Sequence, residues 1–544
     1  MSGLLLRNGK IIDGTGTAAY DGHLLVEEKK IAAVIREGEP LPRTNRVLDV
    51  GGDVISPGFI DMHSHVDWLL PLDDHPDILR CLVEQGVTTV VAGNCGFSPA
   101  PIRSETLAIL DKSLASTILD KPFDYSWESM AGFLDRVEEG EPLINVAELA
   151  GHGSLRLASS DTRRGAMRPD ELKGCLDTAA GALDEGAAGI SFGLGYDPGM
   201  YSPQEEIEAF CKVAADAGKP VAVHLKALSK ISPTYSPTYL KPHNIRALKE
   251  MIEAARKSGV KLQISHFIYV GRRSFDTYSE CLKIVDEARE EGIDVMIDAF
   301  AHTCGNTSIN VSLPYWFIAM GPEAYKSRWA RARLRVELEL GYRLVGFIYK
   351  DFQIMDAAVP EWEELNGMTI DQVARKWNTS NFDAMLKISE RTRGEALMLY
   401  HTYSGVPENE EPLEATLSHD ACLFETDALI KSKGYPNPAA LGTFPRILGK
   451  YCREKKLFTI ENAVKRMTSA SAARFGIKDR GALKPGNFAD IVVFDAEKIA
   501  DTPPVGTVPA GKPEGISHVF INGSHMLDNG SFTSGFRPGK VLRV

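Results

Sequence analysis

Long apolar runs are missing from this chain. No stretch reaches the length that crosses a bilayer, and the apolar run within residues 1–9 is too short to read as a secretory signal. Cysteine is scarce as well. Eight are scattered through 544 residues without paired spacing, which argues against a disulfide framework and predicts a reducing, cytoplasmic setting. Positive charge is in deficit: the formal net charge of −12 argues against a nucleic acid or an anionic membrane as partner. One local exception, Lys326, Arg328, Arg331, Arg333 and Arg335 around Trp329, reads as a solvated helix face rather than an anion site. Internal repeats and low-complexity segments are absent too. These absences leave a globular protein acting on a small molecule, and they leave its oligomeric state open.

What is present is ordinary in bulk and specific in order. The composition, 44% hydrophobic and 25% charged, suits a packed core, and the length suits one large domain plus a smaller one, or three. The first fifty-odd residues read as β: an apolar run from Leu4, an Asn8-Gly9 turn signal, then runs at His23–Glu27 and Lys30–Val34. After Pro57 short β-branched runs alternate with longer helical stretches. Eight candidate strands follow: Phe59–His65, Thr88–Cys95, Asn145–Gly153, Gly189–Gly195, Val221–Lys226, Lys261–Phe267, Asp294–Phe300 and Ala421–Asp427. Helical segments such as Pro76–Glu84, Pro169–Glu185, Pro203–Ala217, Asn244–Lys257 and Ser279–Glu290 separate most of them.

This alternation predicts an α/β fold, a (β/α)8 TIM-like barrel over 57–476. A small β-sandwich built from both chain ends, 1–56 plus 477–544, is expected beside it. The gap between strands seven and eight is far too long for a loop and carries helices of its own, at Glu323–Glu339 and Asp371–Lys376. It reads as an inserted subdomain, about 301–420, able to cover the barrel mouth.

A barrel of this kind places its site at the carboxyl ends of its strands. His63, His65, Cys95, His152, His224, His266 and Asp427 all fall there. His63 and His65 are two apart in a strand and so share a face, where two neutral imidazoles can bind one divalent metal. A lone histidine on an apolar strand is more often a satisfied core residue. His224 and His266, ending the fifth and sixth strands together, favour ligation over that reading.

The ligand order His63-Ser64-His65, His224, His266, Asp427 resembles that of the amidohydrolase superfamily. Pro57-Gly58-Phe59-Ile60-Asp61 resembles that superfamily's entry to its first strand, and Gly481–Asp490 its return to the sandwich. Within it the chain is most similar to the N-acyl-D-amino-acid deacylase (D-aminoacylase) group. The motifs are Gly93-Asn94-Cys95-Gly96-Phe97-Ser98-Pro99-Ala100-Pro101, Gly151-His152-Gly153-Ser154-Leu155-Arg156, Ser191-Phe192-Gly193-Leu194-Gly195-Tyr196 and Gly442-Thr443-Phe444-Pro445-Arg446. The resemblance runs over nearly the whole chain and is weakest between about 305 and 410.

The resemblance implies a zinc site with Cys95 as the thiolate ligand. No lysine stands in the fourth-strand run Gly189–Gly195 to bridge two metals, as it does in most binuclear relatives. Cys95, His224 and His266 would hold one metal and leave a position for water; His63 and His65 would hold a possible second. Asp427, a metal neighbour itself, would take a proton from metal-activated water and pass it to the leaving nitrogen, with Asp420 as its rival. Tyr196 is a candidate oxyanion donor. Tyr196, Lys226, His302 and His152 are candidate substrate contacts, with a structural role as the other reading of His152.

The chain also departs from the group. Members that bind a free α-carboxylate have a lysine where this sequence has Ile268 and an arginine where it has Ala439, and a tyrosine-rich segment becomes Asp298-Ala299-Phe300-Ala301-His302. The expectation is therefore a zinc-dependent amidohydrolase that cleaves a C–N bond, a linear N-acyl amino acid-like amide, by metal-bound hydroxide, with a rebuilt substrate clamp. A cyclic amidase or deaminase and a non-catalytic barrel scaffold are the alternatives.

Overall fold

The structure, a computed structural model, describes residues 3–107, 125–160, 164–236, 240–431 and 433–544. The central strands are short and almost wholly buried because both of their faces are covered. Val87–Ala92, a run of valine, threonine and alanine, is buried at every position. Phe59–Asp61, Val87–Ala92 and Asn145–Glu148 form one parallel sheet. Ala150–Gly151, Ile190–Gly193, Val221–His224, Leu262–Ile264, Val295–Ala299 and Cys422–Phe424 form a second, each strand beside the next in chain order. The chain passes between the sheets at Leu149, whose N–H donates to Ala92 O, while Ala188 N–H donates to Glu148 O. A parallel bridge between Ser64 and Ala428 joins the ends of the first and last of these strands.

The strands are shorter than their sequence patterns, and the reason is chemical. Cys95, His266 and Asp427 have φ of 54°, 30° and 46°, in the left-handed region that breaks regular strand pairing. Each apolar run thus stops before its functional residue, which turns out into the site. The third run ends differently. His152 is the first residue of a helix, His152–Ser159, rather than the end of a strand. The crossover helices follow their capping signals: Pro169–Asp184 starts on a proline, and His243–Ser258 stops at Gly259, whose φ of 72° suits glycine.

Between the seventh and eighth strands lies a three-stranded antiparallel sheet, Gly305–Ser308, Leu397–Tyr400 and Phe352–Asp356 in spatial order, with its own apolar core. The helix expected over 323–339 is two helices, Pro322–Lys326 and Arg328–Val345. Ser327 makes the break: its hydroxyl accepts Ala330 N–H at 3.2 Å and caps the second. The basic patch on that helix is paired locally. Arg331 and Arg335 reach Asp383 at 2.7 and 3.2 Å, and Arg333 reaches Glu337 at 2.7 Å.

The two chain ends meet in one nine-stranded sheet, where Val54–Pro57 runs antiparallel to Ile491–Phe494. The Asn8-Gly9 pair is a bulge within the continuous strand Leu4–Ile11 rather than a hairpin turn; Asn8 has φ 61°. The far edge returns to the C-terminal half through a Lys30–Phe488 bridge. Asn522 donates to Asn145 at 2.8 Å and Asn145 to Asp490 at 3.1 Å, tying this sheet to the third central strand. No described helix is long and apolar enough to cross a membrane.

Candidate metal centre

Past Asp61 the first strand gives way to the His63-Ser64-His65 segment, and four further strand ends deliver their side chains to the same place. Cys95 Sγ lies 3.4 Å from His63 Nε2, 3.3 Å from His266 Nε2 and 3.8 Å from His224 Nδ1. His224 Nδ1 and His266 Nε2 are 2.9 Å apart. Asp427 Oδ1 lies 3.6 Å from His63 Nε2 and 3.4 Å from His65 Nε2. Two trios with metal-ligand spacing result, His63–Cys95–His266 and His63–His65–Asp427. The sequence divides the set as Cys95, His224 and His266 against His63 and His65. In the structure His63 touches both groups.

The donor chemistry fits a soft divalent metal. Burial, followed by the neighbouring His266 ring, pushes the His63 pKa well below its ordinary value; burial pushes His224 well below it too, and lowers His266. Neutral rings carry the lone pair that a metal needs. Burial, with the Asp427 charge behind it, pushes the Cys95 thiol well above its ordinary range, so a cation must be present for it to ionise. Burial also works against the charge of Asp427. The hydrogen bond from His65 and the nearby His63 and His266 rings outweigh that and hold its carboxyl below the usual range.

Ser191 of the fourth strand accepts Gly96 N–H at 3.0 Å, and just past that strand a Cβ on Gly195 would stand 2.8 Å from His224 Nε2. Tyr196, next to it, packs its ring 4.9 Å from that of His224 and donates its hydroxyl proton to Cys95 O at 2.6 Å. That hydrogen bond ties the Tyr196 ring to the Cys95 loop.

Two carboxylates without an expected role support the ligands. Asp298 accepts His266 N–H at 2.6 Å and Gln263 Nε2–H at 2.7 Å, and its Oδ1 lies 3.8 Å from His63 Nδ1. Asp61 accepts the backbone N–H groups of His63 and Thr426 at 3.3 and 3.0 Å. Burial raises both carboxyls to about 7. Such outer groups fix ligand orientation. The signal was in the sequence, since Asp61 stands two residues before His63 and Asp298 at the end of the seventh strand.

The other expected contacts lie elsewhere. His152 is fully buried, with Nε2 at 2.8 Å from Glu206, which also receives Arg156 at 2.7 Å and Ser202 at 2.9 Å. That is a helix-to-helix ion network, in place of the substrate contact. Arg156→Ala would leave Glu206 buried against a neutral ring and is expected to cost about 3–5 kcal/mol in chemical denaturation. A loss under about 1 kcal/mol would mean the network is not structural. His302 is buried too, with Nε2 3.5 Å from Asp501, which Arg446 binds at 3.0 Å. Lys226 is half-buried with Nζ 5.6 Å from the Tyr235 ring centre. Asp420 is exposed in the turn before the eighth strand, at the end away from the cluster.

The two positions where the resemblance implies cations are apolar. Ile268, Phe300 and Ala439 pack as one buried apolar group with Leu228, Val270 and Tyr403 against it. Arg272, a possible substitute cation, is held by Asp351 at 2.6 and 2.8 Å.

Residues 403–523 match the family model described as "Amidohydrolase family". The chain is 31% identical over 540 residues to a D-aminoacylase of Alcaligenes xylosoxydans xylosoxydans, covering 99% of this chain and 97% of that one. Among solved structures it superposes on an N-acyl-D-glutamate deacylase from Bordetella bronchiseptica complexed with zinc and a phosphonate inhibitor, with TM-score 0.79, 28% identity and 99% of both chains covered. A D-aminoacylase with a binuclear metal centre, described as showing one-metal activation and second-metal attenuation, gives TM-score 0.78 at 29% identity, again over 99% of both chains.

Proposed function

The chain belongs to the D-aminoacylase family of amidohydrolases, and from that premise we propose that it hydrolyses the amide bond of an N-acyl amino acid-like substrate at the cluster around Cys95. The observation that carries this reading is the convergence of one thiol, four imidazoles and one carboxylate from five strand ends. We read Cys95, His224 and His266 as the holders of a tightly bound zinc, with His63, His65 and Asp427 as a possible second position. A divalent metal there supplies Lewis acidity, activating water and polarising the amide carbonyl. Asp427 accepts the proton of the attacking water at its carboxylate and returns it to the departing nitrogen. Asp298 and Asp61 keep His63 and His266 in place during the cycle. The two parallel sheets act in this reading as one closed (β/α)8 barrel with 301–420 inserted over its mouth. The terminal sheet folds over as the small sandwich of 1–56 and 477–544. Eight free cysteines support a reducing, cytoplasmic location. Screening N-acyl amino acids and their amides, with metal analysis, tests the reading; a metal-loaded protein that cleaves none of them would end it.

The apolar group at Ile268, Phe300 and Ala439 bears on substrate choice. An unpaired carboxylate buried there would be costly, so the substrate group that meets it is uncharged. Simple N-acetyl-D-amino acids are expected to be poor substrates, and the matching neutral amides better by at least about tenfold in kcat/KM, which corresponds to about 1.4 kcal/mol. A strong preference for the free acid, unchanged in Lys226→Ala and Arg272→Ala, would refute it.

A further inference from the structure

Far along the chain from the central cluster, the hairpin Ile516–Ile521/Ser524–Asp528 of the terminal sheet gathers three metal-ligand side chains. Strand register brings them together. His518 stands opposite Asp528, and Phe520 opposite His525. His518 Nδ1 lies 3.1 Å from His525 Nε2 and 3.4 Å from Asp528 Oδ1, and His525 Nε2 lies 3.9 Å from the same oxygen. In a tetrahedral zinc site, bonds of about 2.0–2.1 Å place ligand atoms about 3.3 Å apart; two sides of this triangle, 3.1 and 3.4 Å, match that spacing and the third, 3.9 Å, closes with a small turn of the exposed Asp528 side chain.

We propose that His518, His525 and Asp528 form a zinc-class divalent metal site, with three protein ligands and an open fourth position, separate from the catalytic cluster.

The rings are prepared for it. His518 is 4% exposed and held by the strand, and His525 stacks on Phe520 with ring centres 4.3 Å apart, so little side-chain freedom remains to be lost on binding. Burial keeps both rings below their ordinary pKa, which leaves the nitrogen lone pairs free near neutral pH. Asp528 is exposed and gives the metal an entry path. Two features compete. Asn529 N–H approaches His518 Nδ1 at 3.5 Å, a long contact, and the Arg46 charge acts on His525 against a cation. A bare ring-to-ring hydrogen bond explains the 3.1 Å distance but not the carboxylate completing the triangle. A metal here would pin the two strands of the hairpin near the sheet edge, where the last strand is only Ser531–Phe532.

The test uses the full-length holoprotein and zinc ion alone. Equilibrium dialysis against buffered zinc should give wild type one equivalent more than either His525→Ala or Asp528→Asn, with turnover unchanged in both variants. Added zinc should raise the melting temperature of wild type above that of metal-replete His525→Ala. Equal zinc equivalents in all three proteins would overturn the site and leave a hydrogen-bonded histidine pair. Because each variant is compared with wild type at the same central cluster, the result does not depend on how many ions that cluster holds.

Discussion

Cys95→Ala is expected to lose most of its bound metal and, with it, more than about 100-fold in turnover, since loss of even an outer-shell partner typically costs 10–100-fold in metal affinity. Cys95 Sγ lies within 4 Å of three ring nitrogens, those of His63, His224 and His266. Removing its sulfur leaves three neutral imidazoles with no anionic donor among them. Cys95→Ser separates chemistry from shape. It keeps the volume and the left-handed backbone, yet a hydroxyl is a harder and weaker ligand for zinc, so it should also bind metal poorly. Circular dichroism and the melting temperature report whether the fold survives, and metal analysis reports the site. Wild-type metal content in both variants would mean that Cys95 is only a buried thiol.

Asp427→Asn should keep metal and fold while losing about 10²–10⁴-fold in kcat, the usual contribution of a placed acid or base. The amide preserves the contacts to His63 and His65 in outline but cannot accept a proton. If Asp427 instead served chiefly to hold a metal, the variant would lose metal in step with rate. A variant with near wild-type kcat would hand the proton to another group. Asp420 is poorly placed for that, exposed at the other end of the eighth strand.

The parts of this site legible in the sequence were those written as local patterns. A His-x-His after an apolar run, a cysteine in an Asn-Cys-Gly loop and histidines ending successive β-branched runs announce their positions through a period of two and a strand end. Crossover helices were legible for the same reason, with bounds within a residue or two: Pro169–Asp184 and His243–Ser258 begin and end on proline and glycine signals. What the pattern hid depended on distant partners. His152 was read as a substrate contact or a structural residue; its partner Glu206 lies 54 residues away on a different helix, beyond the reach of any local pattern. His302 was read as a substrate contact, and its charged neighbour Asp501 lies nearly 200 residues on in the sequence. Asp298 was visible as a letter and silent as a function, because its work is to accept the His266 backbone N–H. The antiparallel sheet within the insertion escaped notice because its strands are four or five residues long and pair across long gaps.

The most direct measurement strips the full-length protein with a chelator, restores zinc stepwise, and follows zinc content and hydrolysis of a neutral N-acyl amino acid amide in the same sample. The account predicts that hydrolysis disappears with the metal and returns with the first tightly bound equivalent, in wild type but not in Cys95→Ala. Hydrolysis that persists after stripping, or zinc that returns without hydrolysis of any N-acyl substrate, would contradict it.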